Sequence, residues 1–220
     1  MRIDTALADT ARYGGFFAIR TGAAGDNWRP ITDCYADGFT DLITMTAQRN
    51  GSTEPRVAAS LVQFSLASRL WSPVLACALI HGVVPDLIDL HRAEDSAELL
   101  VGQPTGALVD DESKLAAALF TTVVIGHLEP FAAGLRVKLA PGLLYGNAAS
   151  AMVAATRALY GIRPDLRDSA TRLARSLLEI PVLAGTGTVK YNLAFRRHSC
   201  CLYYRIADGA KCSDCGLVKR

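Results

Sequence analysis

The stretch from Arg56 to Gly82, RVAASLVQFSLASRLWSPVLACALIHG, decides the fold class. Ala58, Leu61, Val62, Phe64, Leu66 and Leu70 recur mostly at spacings that suit a buried helical face. Pro73 falls inside the run. Without an amide hydrogen it is expected to end a first helix near Trp71 or to open a second within its own first turn. "WSPVLACALIHG" then reads as a buried helix closed at or just before Gly82. Trp71 and Cys77 sit among apolar neighbours and read as core.

Outward from this block the chain stays mostly helical. Residues 3–13 form a first helix, stopped by Gly14 and Gly15. "FFAI" at 16–19 reads as a short strand, Asp26-Asn27 and Arg29-Pro30 as turns, 31–49 as mildly helical and "NGSTEP" as a break. Residues 83–110 read as connection, with "VVPDLIDLH" a strand or turn pair. Ser113 is the expected cap of a helix over Lys114–His127, and Pro130 precedes another over Phe131–Leu139. "APGLLYGN" at 140–147 reads as a loop, Ala148–Leu159 as a helix stopped by Gly161, and Asp168–Ile180 as the last helix. The small residues Ala148, Ala149, Ala151, Ala154 and Ala155 permit close helix–helix approach. The expectation is a mainly α protein with a helical body over 1–184 and a C-terminal segment over 185–220 that contributes a few short strands.

With 220 residues, half of them apolar and a fifth charged, the chain has the means to build a sizeable core. The net charge is +2, but residues 196–220 hold six Lys/Arg against two Asp, a local +4 that leaves about −2 on the rest. A basic end of this kind is either solvated or docks an anionic partner. The charge is modest and its aromatic company is confined to Tyr203 and Tyr204, which argues against nucleic acid. Asp4 and Asp9 interrupt the region where a signal peptide needs an apolar run. The longest apolar stretches, Leu70–Ile80 and Leu115–Ile125, fall short of the roughly 18 residues of a membrane span. The expected location is cytoplasmic, where thiols stay reduced, with peripheral membrane association open.

Four of the six cysteines, Cys200, Cys201, Cys212 and Cys215, lie within the last 25 residues, RRHSCCLYYRIADGAKCSDCGLVKR. A Cys-x-x-Cys turn offers two thiolates to one metal. Gly216, just after it, tolerates a positive φ. Adjacent cysteines on an extended chain point to opposite faces. Cys200 and Cys201 therefore sit on a turn or ligate different irons of a small cluster. Three readings stand at this point: an iron–sulfur centre, a structural zinc knuckle, and a Cys212/Cys215 thiol redox pair. Arg196, Arg197, His198, Arg205 and Lys211 place positive charge beside the thiolates; they balance the site, face solvent or dock a substrate or donor. Cys77 reads as buried packing and Cys34 carries no assigned role. "GTGTV" at 185–189 lacks the spacing and context of a dinucleotide site.

The motif Cys-Cys-x10-Cys-x2-Cys near the C-terminus, within "RRHSCCLYYR" and "KCSDC", resembles the ferric siderophore reductase family named FhuF. A weaker likeness runs through "ASRLWSPVLACALIHG" and "YGNAASAM". Gly216 departs from the proline that members often carry there. The resemblance implies that Cys200, Cys201, Cys212 and Cys215 hold one 2Fe-2S cluster behind a largely helical body. It also implies one-electron reduction of ferric siderophores in the cytoplasm, with electrons from an external ferredoxin- or flavoprotein-like donor. Arg196, Arg197, Arg205 and Lys211 are then the expected docking residues for substrate or donor. Arg69, Trp71, Asn147 and Ser150 either support the site or serve packing. The alternatives are a zinc-stabilised binding module and a 2Fe-2S electron-transfer protein with another acceptor.

Overall fold

In the computed structural model, residues 1–218 are described. After a short helix α1 (Asp4–Ala11) come strands β1 (Arg20–Thr21) and β2 (Trp28–Pro30) and helices α2 (Ile31–Ala36) and α3 (Thr40–Arg49). The chain then enters α4 (Pro55–His81), a 27-residue helix on which the rest is assembled. Val57, Ala58, Ala59, Leu70, Trp71, Val74 and Leu75 are all fully buried. A helix apolar on nearly every side is stable only when it is enclosed.

Pro73 therefore does not divide the block: it lies inside a continuous α4. An internal proline costs a helix roughly 3 kcal/mol, which burial on all sides offsets here. The Ser72 hydroxyl also donates to the Ser68 carbonyl at 2.8 Å. Gly82, with φ 67°, caps the end in the left-handed conformation that glycine adopts freely. By length and composition α4 and the helical stretch Ser113–Gly134 are long and apolar enough to cross a membrane, which corrects the expectation of short apolar stretches. For α4 the neighbours α1, α3 and α7 account for that apolarity.

Residues 83–110 form more than a connection. Strands β4 (Leu90–Ala93) and β5 (Leu99–Val101) form the centre of a mixed four-stranded sheet, β1-β5-β4-β2, and β3 (Val83–Pro85) and β6 (Gly106–Leu108) form an antiparallel pair. Strands of three or four residues are too short for alternation to be visible in the sequence. Arg92 on β4 is 1% exposed. It donates to the carbonyls of Ala93 at 2.8 Å and Ser96 at 3.0 Å and pairs with Asp41, pinning the sheet to α3. The two phenylalanines of "FFAI" fall in a 3₁₀ turn, Gly15–Phe17, and the strand begins only after Ile19, at Arg20.

Helix α5 (Glu112–Phe120) is capped by Asp111, whose carboxylate accepts from the Ser113 amide at 2.9 Å, so the cap lies two residues before the expected Ser113. It runs through a π-helical stretch, Thr121–Leu128, into α6 (Glu129–Gly134). The expected loop "APGLLYGN" is instead the start of α7 (Pro141–Ile162), with its proline in the first turn. Gly142 and Gly146 suggest a loop by propensity. Gly146, however, serves packing: a Cβ there would lie 2.1 Å from Ser199 Oγ. Helix α7 packs along α4, and its Gly146, Ala148, Ala149, Ala151 and Ala155 are all buried. Helix α8 (Arg167–Glu179) covers α5 and α7, and the chain ends in the antiparallel pair β7 (Gly187–Val189) and β8 (Phe195–Arg197) and the cysteine loops.

The π-helical stretch carries His127, 5% exposed, whose Nδ1 lies 2.7 Å from the Tyr35 hydroxyl on α2. Burial lowers the His127 pKa to about 4, against a weak opposing pull from Asp86. The unfolded chain therefore binds a proton that the folded chain refuses between about pH 6.5 and pH 4. Stability from this group is full above pH 6.5 and lost as pH falls through that window. At about 1.4 kcal/mol per pKa unit the loss is on the order of 3 kcal/mol. Urea unfolding at pH 7 and pH 4.5 should show the drop, and His127→Gln should remove most of the pH dependence while lowering stability at pH 7.

Candidate iron–sulfur centre

The C-terminal segment is built on β8. Residues 195 and 197 face inward and 196 and 198 outward, as strand alternation requires. Gly187 on β7 is obligatory opposite it: a Cβ would lie 2.4 Å from the Phe195 ring and 2.6 Å from the Arg196 carbonyl. After β8 the chain bends at His198 and Ser199, and the adjacent cysteines lie between that bend and a second one at Leu202. Leu202, held at φ 67°, aims its amide at Cys200 Sγ, 3.3 Å away. The second pair is closed by the Cys215 amide donating to the Cys212 carbonyl at 3.0 Å. The two loops meet with Cys201 Sγ 3.5 Å from Cys212 Sγ. All four cysteines are free thiols.

Arg197 holds the loops to the body. It is 2% exposed. Its guanidinium donates to both oxygens of Asp214, at 2.9 and 3.0 Å, to Asn147 Oδ1 at 2.5 Å and towards Cys212 Sγ at 3.8 Å. It also lies 5.4 Å from the centre of the Phe64 ring. The Ser150 hydroxyl donates to Asp214. Asn147 in turn donates to Ser60 Oγ at 3.1 Å, and Ser60 donates to the Cys201 carbonyl at 2.8 Å. One network thus runs from α4 through α7 to both cysteine loops. Burial opposes the Arg197 charge, but the Asp214 carboxylate outweighs it and holds the guanidinium pKa up. Burial likewise pushes the Asp214 carboxyl up, and Arg197 and Ser150 overcome it, leaving it below its usual range.

Arg197 was expected at a docking surface; its burial assigns it to the frame instead. Arg196 is half-buried and donates to the Gly216 carbonyl at 3.4 Å and to the Val218 carbonyl. Arg205 pairs with Glu54 at 3.2 Å. Lys211 is exposed beside Cys212. Of the residues in the weaker likeness, Asn147 and Ser150 belong to the network. Trp71 is core, and Arg69 lies over the Phe16 ring, its guanidinium carbon 5.3 Å from the ring centre. Gly216 does not take a positive φ. It is required by proximity, since a Cβ there would lie 2.6 Å from the Arg197 carbonyl.

The donor set fits a two-iron cluster. Four thiols from two short loops offer two soft ligands to each iron. An amide aimed at Cys200 Sγ and a cation at Cys212 Sγ favour the thiolate forms. Without metal, burial and then Asp214 raise the Cys212 thiol pKa, and burial raises that of Cys200. Coordination reverses this by deprotonating the thiols outright. Among the described residues no three His, Cys, Asp or Glu side chains converge on a single-ion site.

Residues 197–216 match the family described as the FhuF 2Fe-2S C-terminal domain. Neither the curated proteins nor the solved structures contain a match to the chain. The chain therefore carries an iron–sulfur module of the oxidoreductase type, a 2Fe-2S cluster-binding region. That module is FhuF-like, and its spacing is the one read from the four cysteines.

Removing one partner of a buried ion pair strands the other, at a cost of about 3–5 kcal/mol. Arg197→Met should lower the urea midpoint of the metal-free protein accordingly, and the double variant Arg197→Met/Asp214→Leu should recover part of the loss. Equal midpoints for the single variant and the parent would remove Arg197 from the frame. Gly216→Ala should also destabilise, by displacing the Cys215 turn from β8.

Proposed function

We propose that the chain is a cytoplasmic ferric siderophore reductase whose cluster is held by Cys200, Cys201, Cys212 and Cys215. The observation that carries this reading is a cavity of about 470 Å³ whose wall includes Cys201 and Cys212. Leu61, Phe64, Val153, Phe195 and Tyr203 make it mostly apolar, and Arg157 stands at its edge. Its volume lies within the roughly 300–1,000 Å³ typical of small-ligand sites. A substrate lodged there sits directly against the ligand loops.

When bound, the cluster supplies single electrons to an acceptor outside its thiolate shell. The chain's own residues do the rest. Phe64, Phe195 and Tyr203 hold the organic body of a chelate and exclude water. Arg157 pairs with an anionic edge of it. Arg197 keeps positive charge beside the thiolates and the loops in register. The balance is one electron gained by substrate Fe(III), giving Fe(II), and one lost by an external donor. No bond to the protein forms or breaks. Hard oxygen ligands hold Fe(II) far more weakly than Fe(III), so the reduced metal is released.

Anaerobically purified protein should show visible 2Fe-2S absorption and an EPR signal on reduction. Cys→Ser at any of positions 200, 201, 212 or 215 should abolish or shift both, whereas Cys77→Ser should keep the spectrum. Cys77 is buried, with its thiol pushed up to about 12 by burial, and belongs to packing against α1. Photoreduced protein mixed with ferric siderophores should reoxidise faster than with simple ferric chelates, and Arg157→Ala or Phe64→Ala should narrow that difference. Equal rates with both classes would point to a 2Fe-2S electron carrier with another acceptor.

A further inference from the structure

A second concavity, of about 610 Å³, lies on the outer side of β7 and β8. Thr188, Lys190, Arg196, His198 and Gly216 line it, and among the described residues its walls include no carboxylate. Ala194, Phe195 and Arg197 belong to the walls of both cavities, so β8 is the partition between them. Strand alternation sorts the charges: Arg197 turns inward to Asp214, and Arg196 and His198 turn outward.

The basic side is held in place. Arg175 on α8 donates to the Lys190 carbonyl at 3.1 Å and fixes the β7–β8 turn. The His198 ring is oriented by the Gly185 carbonyl at 2.8 Å and the Thr188 hydroxyl at 3.1 Å. Arg196 reaches the carbonyl of Gly216, the residue after Cys215. This wall is therefore one peptide from a proposed ligand. At the tip of the turn Tyr191 is 95% exposed.

We propose that an acidic one-electron carrier protein docks here, on the opposite side of β8 from the acceptor cavity. A carboxylate-rich face complements Lys190, Arg196 and Arg175, and Tyr191 offers the kind of aromatic anchor that interfaces favour. Contacts of this redox type are small and steered by charge. The carrier loses the electron that the cluster-bearing segment gains, and the segment passes it to the acceptor on the other side. Both partners then reach the centre without displacing each other. The inference rests on the electron-transfer reading of the segment but not on the identity of the acceptor.

The test omits ferric substrate, so failure of the siderophore reading leaves its outcome intact. Cluster-loaded protein is mixed in a stopped-flow instrument with a photoreduced acidic plant-type ferredoxin, and separately with photoreduced deazaflavin, across ionic strengths. Lys190→Glu and Arg196→Gln should each slow reduction by the ferredoxin at least fivefold and flatten its salt dependence, with the deazaflavin rate unchanged. Carbodiimide, which joins carboxylates to lysines, should cross-link the ferredoxin to Lys190 in the parent protein. Parental rates in both variants would overturn the proposal. So would an equal slowing by Arg157→Glu, which would put donor and acceptor in one cavity. Lys190-dependent binding to anionic phospholipid vesicles without a ferredoxin cross-link would assign the face to a membrane surface instead.

Discussion

Everything at the C-terminal end depends on one buried guanidinium. Arg197 is almost wholly buried, so its charge persists because Asp214 and Asn147 satisfy it. Those partners lie on different parts of the chain, one inside the Cys-x-x-Cys turn and one on α7. Satisfying the charge therefore brings the two cysteine loops together and seats them on the helical body. Ser60 and Ser150 complete the arrangement, and neither loop has an apolar core of its own to do so.

The helical body explains why such a frame is possible. Small side chains along α7 let it approach α4 closely, and the seam ends where Gly146 admits Ser199. Apolar packing sets the position of Asn147 and Ser60. Those two polar groups then set the position of Cys201. Packing precision in the core is thus transmitted to the sulfur atoms through a few hydrogen bonds, each of which would be costly to leave unmade in a buried site.

The division of faces at β8 follows from strand geometry. A period of two sends Arg197 inward and Arg196 and His198 outward, so neighbouring cations serve different purposes. The inner one stabilises the frame, and the outer ones line an open basic concavity. A basic tail read as one surface is in fact two, with the cysteine loops between them.

Much of the protein was legible in its residues. The helical periodicity of Arg56–Leu70, the glycine after His81 and the spacing of Cys200, Cys201, Cys212 and Cys215 each carry their meaning locally. Other signals misled because they are local propensities that distant contacts overrule. Pro73 lies within α4 because the helix is enclosed, and Gly146 lies within α7 because Ser199 needs the room. The three-residue strands between Val83 and Leu108 hold too little pattern to announce themselves. Ser60, Phe64, Arg157 and Asp214 gave almost no sign of their roles, since a serine on an apolar helix or an aspartate in a turn has many uses. A mainly helical body and a four-thiol motif can be read from the residues alone, because helix period and ligand spacing are written over a few consecutive residues. That Arg197 is frame and not surface, and which cavity meets the thiols, follows from the folded chain. Both depend on residues distant in the chain, such as Asn147 and Arg197 or Leu61 and Cys201, meeting in space.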